Sequence, residues 1–290
     1  MPSKNKRRDF LRSVAVSGLA AGAGLTEESA ADTNAPLHPS PMNLVGDRYI
    51  DPRKVLLYEC TRKEIREALS AGSLKAAIIP TGSTEQHNEH MAMIMDTAGA
   101  LMVSQYAALK LYPQVIVTTP VSIGVSPHWM NRKGTLTLRK EIFQAVVYDI
   151  CESLKTHGIT TILIVNGHGG NVKPLGEVVD DYRAKLGITL EACSYWDSFS
   201  KEQAKEFVES GNIPSHASEF ETSIALAAFP ERIRYQGVDH DRAQLELNES
   251  DRKWDKATFE ESKLATAEKG ERIIAHAVNW VADKLLAMMG

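Results

Sequence analysis

Along the chain, apolar residues recur in two alternating rhythms, one helical and one extended. Thr61-Arg-Lys-Glu64 has the form of a capping box, and Ile65, Leu69 and Gly72 complete a short amphipathic helix behind it. The continuous apolar run from Ala76 to Pro80 predicts a buried strand. Thr97 to Leu111, rich in alanine and carrying Leu101, Met102 and Val103, predicts a largely buried helix, and the β-branched run Val115 to Thr119 predicts the next strand. Between Arg139 and His157 apolar side chains return every three or four positions, at Ile142, Val146, Val147, Ile150 and Leu154; this is a core-facing helix that stops at Gly158. Thr160 to Val165 reads as a central strand, Val172 to Leu186 as a helix, Thr189 to Ser194 as a strand and Lys201 to Glu209 as a helix. An apolar helix from Ile224 to Phe229 and helical sequence from about Thr258 to Met289 complete the pattern.

Strands that alternate with helices imply a single-domain α/β fold, with a mostly parallel sheet covered on both faces in three α/β/α layers. Ligand sites in such folds gather at the carboxyl ends of the strands. A hydrophobic content of 43% over 290 residues is ample for one large core. The net charge of -4, with both signs mixed along the chain, provides no basic face for phosphate backbones, which argues against nucleic acid as a partner. Cys60, Cys151 and Cys193 lack metal-type spacing and read as small buried hydrophobes.

Residues 1–31 obey different rules. A basic start with Arg7-Arg8, then Phe10 and Leu11, precedes a weakly apolar stretch from Ser13 to Leu25 that is too short to span a bilayer, and Ser29-Ala-Ala31 offers small residues for cleavage. The arrangement resembles a twin-arginine signal, so the twin-arginine export machinery is the expected partner and the periplasm or the exterior the expected destination. Residues 32–43 read as a linker and 44–290 as the folded domain.

Two unusual clusters stand where strands end. After Ala76 to Pro80 come Glu85 and His87, then Asp96 at the start of a helix; one imidazole and two carboxylates suit zinc, manganese or iron. After Thr160 to Val165 comes Asn166-Gly-His-Gly-Gly-Asn171, with His168 among three glycines. It lacks the Lys-Ser/Thr of a P-loop and does not fit G-x-G-x-x-G, so phosphate binding is the poorer reading. The segment Ser122 to Thr137, with His128 and Trp129 between Gly124 and Gly134, is long enough to overhang the site. Further on, His216 and Glu219 share a helical face, while Glu221 lies five positions from His216.

Together, Glu85-Gln-His87 with Asp96, Asn-Gly-His168-Gly-Gly-Asn and His216-x-x-x-x-Glu221-Thr-Ser resemble the creatininase (creatinine amidohydrolase) family, in this order, over roughly Leu44 to Pro230. The resemblance implies a creatininase-like α/β fold and two divalent metal ions per chain, zinc with manganese or iron as alternatives. It also implies that activated water cleaves a non-peptide C–N bond in a small-molecule amide, in a homo-oligomer. By position it implies Glu85, His87, Asp96 and His168 as metal ligands, Asp96 as the bridge, and His216 as the catalytic histidine. Creatinine-cleaving members carry a Glu two residues after the Asn-Gly-His histidine; here that position is Gly170. The branch that includes deformylases and peptide-processing enzymes shares Gly-Gly-Asn, and points to Glu221 as fifth ligand, whereas helical spacing points to Glu219.

His90 matches a family histidine, although Asn88-Glu89 stands for the usual Gly-Pro and Met91-Ala92 for Leu-Pro. His90, Glu219, Trp129 and Trp196 are candidates for the substrate pocket, and His38, His157, His240 and His276 for the surface. Rival readings are creatinine hydrolysis proper, a silent metal- or substrate-binding member, and a phosphoesterase; the scarcity of Lys and Arg at the motifs speaks against the last.

Overall fold

The computed structural model describes residues 44–45, 48–238 and 247–290. The signal-like segment 1–31, the linker 32–43, His38 and His240 lie outside the described residues. A two-residue antiparallel pair, β1 (Leu44–Val45) and β2 (Arg48–Tyr49), leads into the domain. Helix α1 (Arg62–Ser70) begins at the expected capping box: Thr61 Oγ1 accepts from Glu64 N, and Glu64 returns an oxygen to Thr61 N at 2.7 Å. Next in the chain are β3 (Ala76–Thr81), α2 (Met95–Lys110), β4 (Val115–Val117), α3 (Lys140–Thr156) and β5 (Thr161–Asn166).

The second half contains α4 (Val172–Gly176), α5 (Val179–Leu186), β6 (Thr189–Ser194), α6 (Lys201–Phe207), α7 (Glu219–Ala228), α8 (Glu249–Ser262) and α9 (Ala267–Met289). The expected helix from Val172 to Leu186 is therefore two helices, broken at Glu177 and Val178 after Gly176, which lets Val179, Tyr182 and Leu186 turn into the core. Helix α7 starts five residues before its apolar run, and α8 starts nine residues before the expected boundary, where Asn248 Oδ1 accepts from Asp251 N at 2.9 Å.

The main sheet is parallel with order β4-β3-β5-β6. Alternate side chains enter two cores. Ile78, Leu163 and Val165 pack with Met102 and Val103 of α2, Phe220 and Ile224 of α7 and Ile273 and Val278 of α9. Ala77, Ile79, Ile162 and Ile164 pack with Phe143, Val147 and Leu154 of α3 and Tyr182 and Leu186 of α5 on the other face. This is the three-layer α/β/α arrangement that the alternation implies. No described helix is long and apolar enough to cross a membrane.

Strand register sets where the loops emerge. Thr81 at the end of β3 pairs with Asn166 at the end of β5, and Asn166 with Ser194 at the end of β6. Three strands thus stop on one line, and the loops carrying the rare motifs leave the sheet side by side.

Candidate metal centre

A polar ladder closes the sheet at that line. Thr81 Oγ1 donates to Asn166 Oδ1 at 3.1 Å, and Asn166 Nδ2 donates to Ser194 Oγ at 3.1 Å. The Asn166 amide also donates to His168 O at 2.7 Å and accepts from His168 N, while Asn171 Nδ2 donates to Gly82 O and its Oδ1 accepts from Val125 N. The two asparagines of the glycine-rich motif are therefore braces that aim His168. Gly167 lets α2 approach: a Cβ there would stand 2.2 Å from Asp96 O, closer than any side chain permits. Asp96 lies in the first turn of α2, where the helix dipole favours negative charge.

The structure brings Glu85, His87, Asp96, His168 and Glu221 into one buried cluster; Glu85, His87, Asp96 and His168 are each 3% exposed or less. Asp96 is shared between two groups. Its Oδ1 lies 3.0 Å from His87 Nε2 and its Oδ2 lies 2.9 Å from His168 Nδ1. Glu221 Oε2 stands 3.6 Å from His87 Nε2, and Glu85 Oε1 stands 3.3 Å from His168 Nδ1.

Each imidazole is anchored from behind by a backbone carbonyl: His87 Nδ1 donates to Glu85 O (3.1 Å), His168 Nε2 to Val125 O (3.2 Å) and His216 Nε2 to Gln86 O (2.8 Å). An outer N–H held in this way presents the other ring nitrogen inward, the usual tautomer of a metal-binding histidine. Glu85 Oε2 is a further buried oxygen without a hydrogen-bond partner. The inward nitrogens and carboxylates form three groups able to hold a cation: His87, Asp96 and Glu221; Glu85, His128 and His168; and Glu85, His87 and His216. The donor set fits divalent zinc or manganese.

The electrostatics of these side chains point the same way. Burial disfavours a charged His87, but Asp96, Glu221 and Glu85 outweigh it and push its pKa up to about 10. His168 is likewise disfavoured by burial and raised to about 10 by Asp96 and Glu85. Burial lifts Glu221 to about 7 against the pull of His87, whereas Asp96, despite its burial, is held well below the usual carboxylate range by His87 and His168. A cluster that holds protons this firmly is one that calls for positive charge.

His216 faces the same centre, with Nδ1 3.5 Å from Glu85 Oε1 and its ring 4.5 Å from that of His87. Burial, then the charge of His87, lowers its pKa well below the ordinary value. The backbone explains how His216 and Glu221 converge although five residues apart. Ala217 takes a left-handed conformation (φ 50°), the helix begins only at Glu219, and Ala217 N donates to Glu221 Oε2 at 2.7 Å.

Glu219 does not join the cluster. Its carboxylate accepts from Glu209 N, Ser210 N and Lys269 Nζ at 2.9, 2.8 and 2.7 Å, so the helical-spacing choice of Glu219 as ligand or pocket residue is corrected in favour of a structural anchor. His90 is also outside the cavity lining: Nε2 lies 3.1 Å from Thr222 Oγ1, and the ring stacks on Tyr235 and meets Phe259 edge-on. Trp129 and Trp196 do line the cavity of about 220 Å³, together with His128, Pro214, Ser215 and Gly170. None of the lining residues is Lys or Arg. Trp129 stacks on His216 at 4.7 Å, and Trp254 of α8 lies 5.7 Å from the same ring. Trp254 and the role of His128 escaped the sequence; His128 carried the one available signal, its place in the overhanging loop. Of the surface histidines, His157 is exposed, but His276 is half-buried against Phe199 and Phe207 and bonded to Ser198 O.

A parallel α/β sheet with a buried carboxylate–imidazole cluster at its carboxyl edge defines an α/β protein with a site suited to divalent cations. The family model "Creatininase: Creatinine amidohydrolase" matches residues 58–285. The creatinine amidohydrolase of Pseudomonas putida is 28% identical over 256 residues, covering 80% of this chain and 96% of that protein. The mycofactocin precursor peptide peptidase of Mycobacterium ulcerans is 27% identical over 218 residues, covering 70% and 81%. A solved creatininase described as a manganese form superposes with a TM-score of 0.64 at 24% identity, covering 79% of this chain and 96% of that one, a likeness of fold. The chain belongs to the creatininase family and is a hydrolase.

Proposed function

We propose that the protein is a dinuclear metal amidohydrolase that cleaves a non-peptide C–N bond in a small amide. The observation that carries this reading is Asp96, whose two oxygens face two separate imidazoles at 3.0 and 2.9 Å, as a carboxylate shared by two cations must. Glu85, His168 and Asp96 would hold one ion, and His87, Glu221 and Asp96 the other. When bound, such a pair supplies Lewis acidity and a water whose pKa falls towards neutrality. Zinc is the first candidate on donor chemistry, and the manganese form of a family structure supports manganese as an alternative.

His216 is the proton carrier in this reading. Its Nε2–H is tied to Gln86 O, so Nδ1 is the atom that receives a proton within the cavity and delivers it to the departing nitrogen, which leaves poorly unless protonated. Trp129 stacked on one face of the ring holds it in place, and Trp129 and Trp196 provide flat apolar walls for a small planar group. A relative is named as a peptide peptidase, so short peptides are the contrast against which small amides are tested. Export through the twin-arginine route, with the metals inserted before passage, and assembly as a homo-oligomer belong to the same proposal.

Asp96→Ala tests the centre. Metal analysis of the purified protein is expected to find two divalent ions per wild-type chain and none in the variant. Two ions retained by Asp96→Ala would remove it from the bridging role, and turnover of cyclic amides, formamides and short peptides by the loaded wild type would then define the substrate class.

A further inference from the structure

The loop between β4 and α3 is bound to the centre more closely than an overhanging loop requires. Ser126 Oγ lies 2.7 Å from Ser83 Oγ and 3.0 Å from His168 Nε2, Ser126 N donates to Thr137 Oγ1 at 2.8 Å, and Leu136 N donates to Thr84 O at 2.9 Å. Pro127 then opens a single 3-10 turn, Pro127–Trp129, which carries His128 back over the glycine-rich motif. The His128 ring lies parallel to that of His168, 6.0 Å away and inclined by 5°. One nitrogen of His128, one of His168 and one oxygen of Glu85 all fall within 4.8 Å of one another.

Position 170 shows what this loop displaces. A Cβ on Gly170 would meet Val125 O at 2.1 Å, His168 Nε2 at 2.4 Å and His128 Cε1 at 3.1 Å. No side chain can start there while the loop is in place. The space beside the Gly170 Cα is taken by Val125 O and by the rings of His168 and His128.

We propose that His128 is a further metal ligand, joining Glu85, His168 and Asp96 at one of the two ion sites from the loop that Gly170 allows to lie over the centre. The inference rests on the two-metal reading above. Its consequence is an asymmetric pair: four protein donors surround one ion, whereas His87, Asp96 and Glu221 give three to the other, and three protein donors with an open position are the mark of a catalytic rather than a closed site. The ion beside His128 is therefore the tightly held one, and the ion beside Glu221 is the exchangeable one.

Two variants separate ligation from packing. His128→Ala removes the ring, whereas His128→Phe keeps a flat ring to stack on His168 and Trp129 but has no nitrogen to give. Zinc content is measured after equilibrium dialysis against graded chelator, and cobalt(II) is substituted to read the visible spectrum. Wild type is expected to hold one ion at least about ten-fold more tightly than the other, and both variants to weaken the tight site by at least that factor, with a changed cobalt spectrum and, after removal of metal by chelator, an unchanged melting temperature. A His128→Phe protein with wild-type affinity at both sites and an unaltered spectrum overturns the proposal and leaves the two-metal reading standing. Wild type that binds no divalent ion fails that reading itself, and His128 as a ligand with it.

Discussion

Gly170 has no Cβ, and the fit of the loop over the centre depends on that. With Val125 O only 2.1 Å from where a Cβ would stand, Gly170→Ala must move backbone rather than a flexible side chain. The expected cost is about 1–3 kcal/mol, as for other overpacked interiors, read by denaturant unfolding. Gly170→Glu is expected to disturb the loop more and to confer no creatinine hydrolysis. The wild-type kcat/KM for creatinine is expected to lie below about 10⁴ M⁻¹s⁻¹, the lower end of the ordinary enzyme range; steady-state kinetics on metal-loaded protein checks this, and a higher value would show that Gly170 does not exclude creatinine. Position 170 was visible in the sequence as a departure from the family pattern, but its neighbour Val125 is 45 positions away and only the fold brings the two together.

Helix α8 is docked on the site by a buried ion pair. Arg132 and Asp255 are 8% and 6% exposed, and Arg132 Nη2 donates to Asp255 Oδ1 at 2.7 Å; Asn88 Nδ2 reaches Asp255 O at 2.7 Å. The Arg132 guanidinium also lies over Trp129, 4.6 Å from the ring centre, so the pair sets both the helix and the indole that backs His216. Asp255→Ala leaves the Arg132 guanidinium with the more distant Asp251 carboxylate, at 3.6 Å, and Asn131 Oδ1, and is expected to cost about 1–3 kcal/mol, while the double replacement Arg132→Met with Asp255→Leu recovers much of it. A double-mutant cycle in urea measures both, and hydrogen exchange should show α8 losing protection first. The departure Asn88-Glu89 from the family's Gly-Pro acquires a reason here: Asn88 takes a left-handed turn (φ 56°) and ties α8 down, while Glu89 is not among the residues that line the cavity. The weak apolar pattern of α8, with only Asp255, Phe259 and Ser262 buried, is why its first turns were missed in the sequence.

At the scale of the whole molecule, thiol chemistry bears on the proposed export in the folded state. Cys151 and Cys193 are buried, and burial pushes both thiols up to about 12, so neither offers thiolate to an oxidising compartment near neutral pH. Cys60 is only half-buried, yet desolvation raises it as well. Replacing Arg7 and Arg8 together by Lys is expected to leave the protein in the cytoplasmic fraction, with the same metal content and melting temperature as the exported form. Cell fractionation decides it, since undiminished export would assign the protein to another route.

The sequence alone was enough for the elements that announce themselves by period: the buried strands, the core-facing helices α2 and α3, and hence a parallel sheet with a site at its carboxyl edge. It also marked Glu85, His87, Asp96 and His168, because charged and imidazole side chains just after buried strands are conspicuous against an apolar background, whereas His216 was marked only by the resemblance to the family. Tertiary structure decided the rest. Glu219 and Glu221 are chemically identical, and only the left-handed Ala217 and the late start of α7 send one to Lys269 and the other to His87. Trp254 reaches the centre from the weakly patterned helix α8 and His128 from a loop, and no local period encodes where either one docks. Local patterns reveal which residues are buried; which of them meet depends on strand register and on contacts between segments far apart in the chain, and those exist only once the layers have packed.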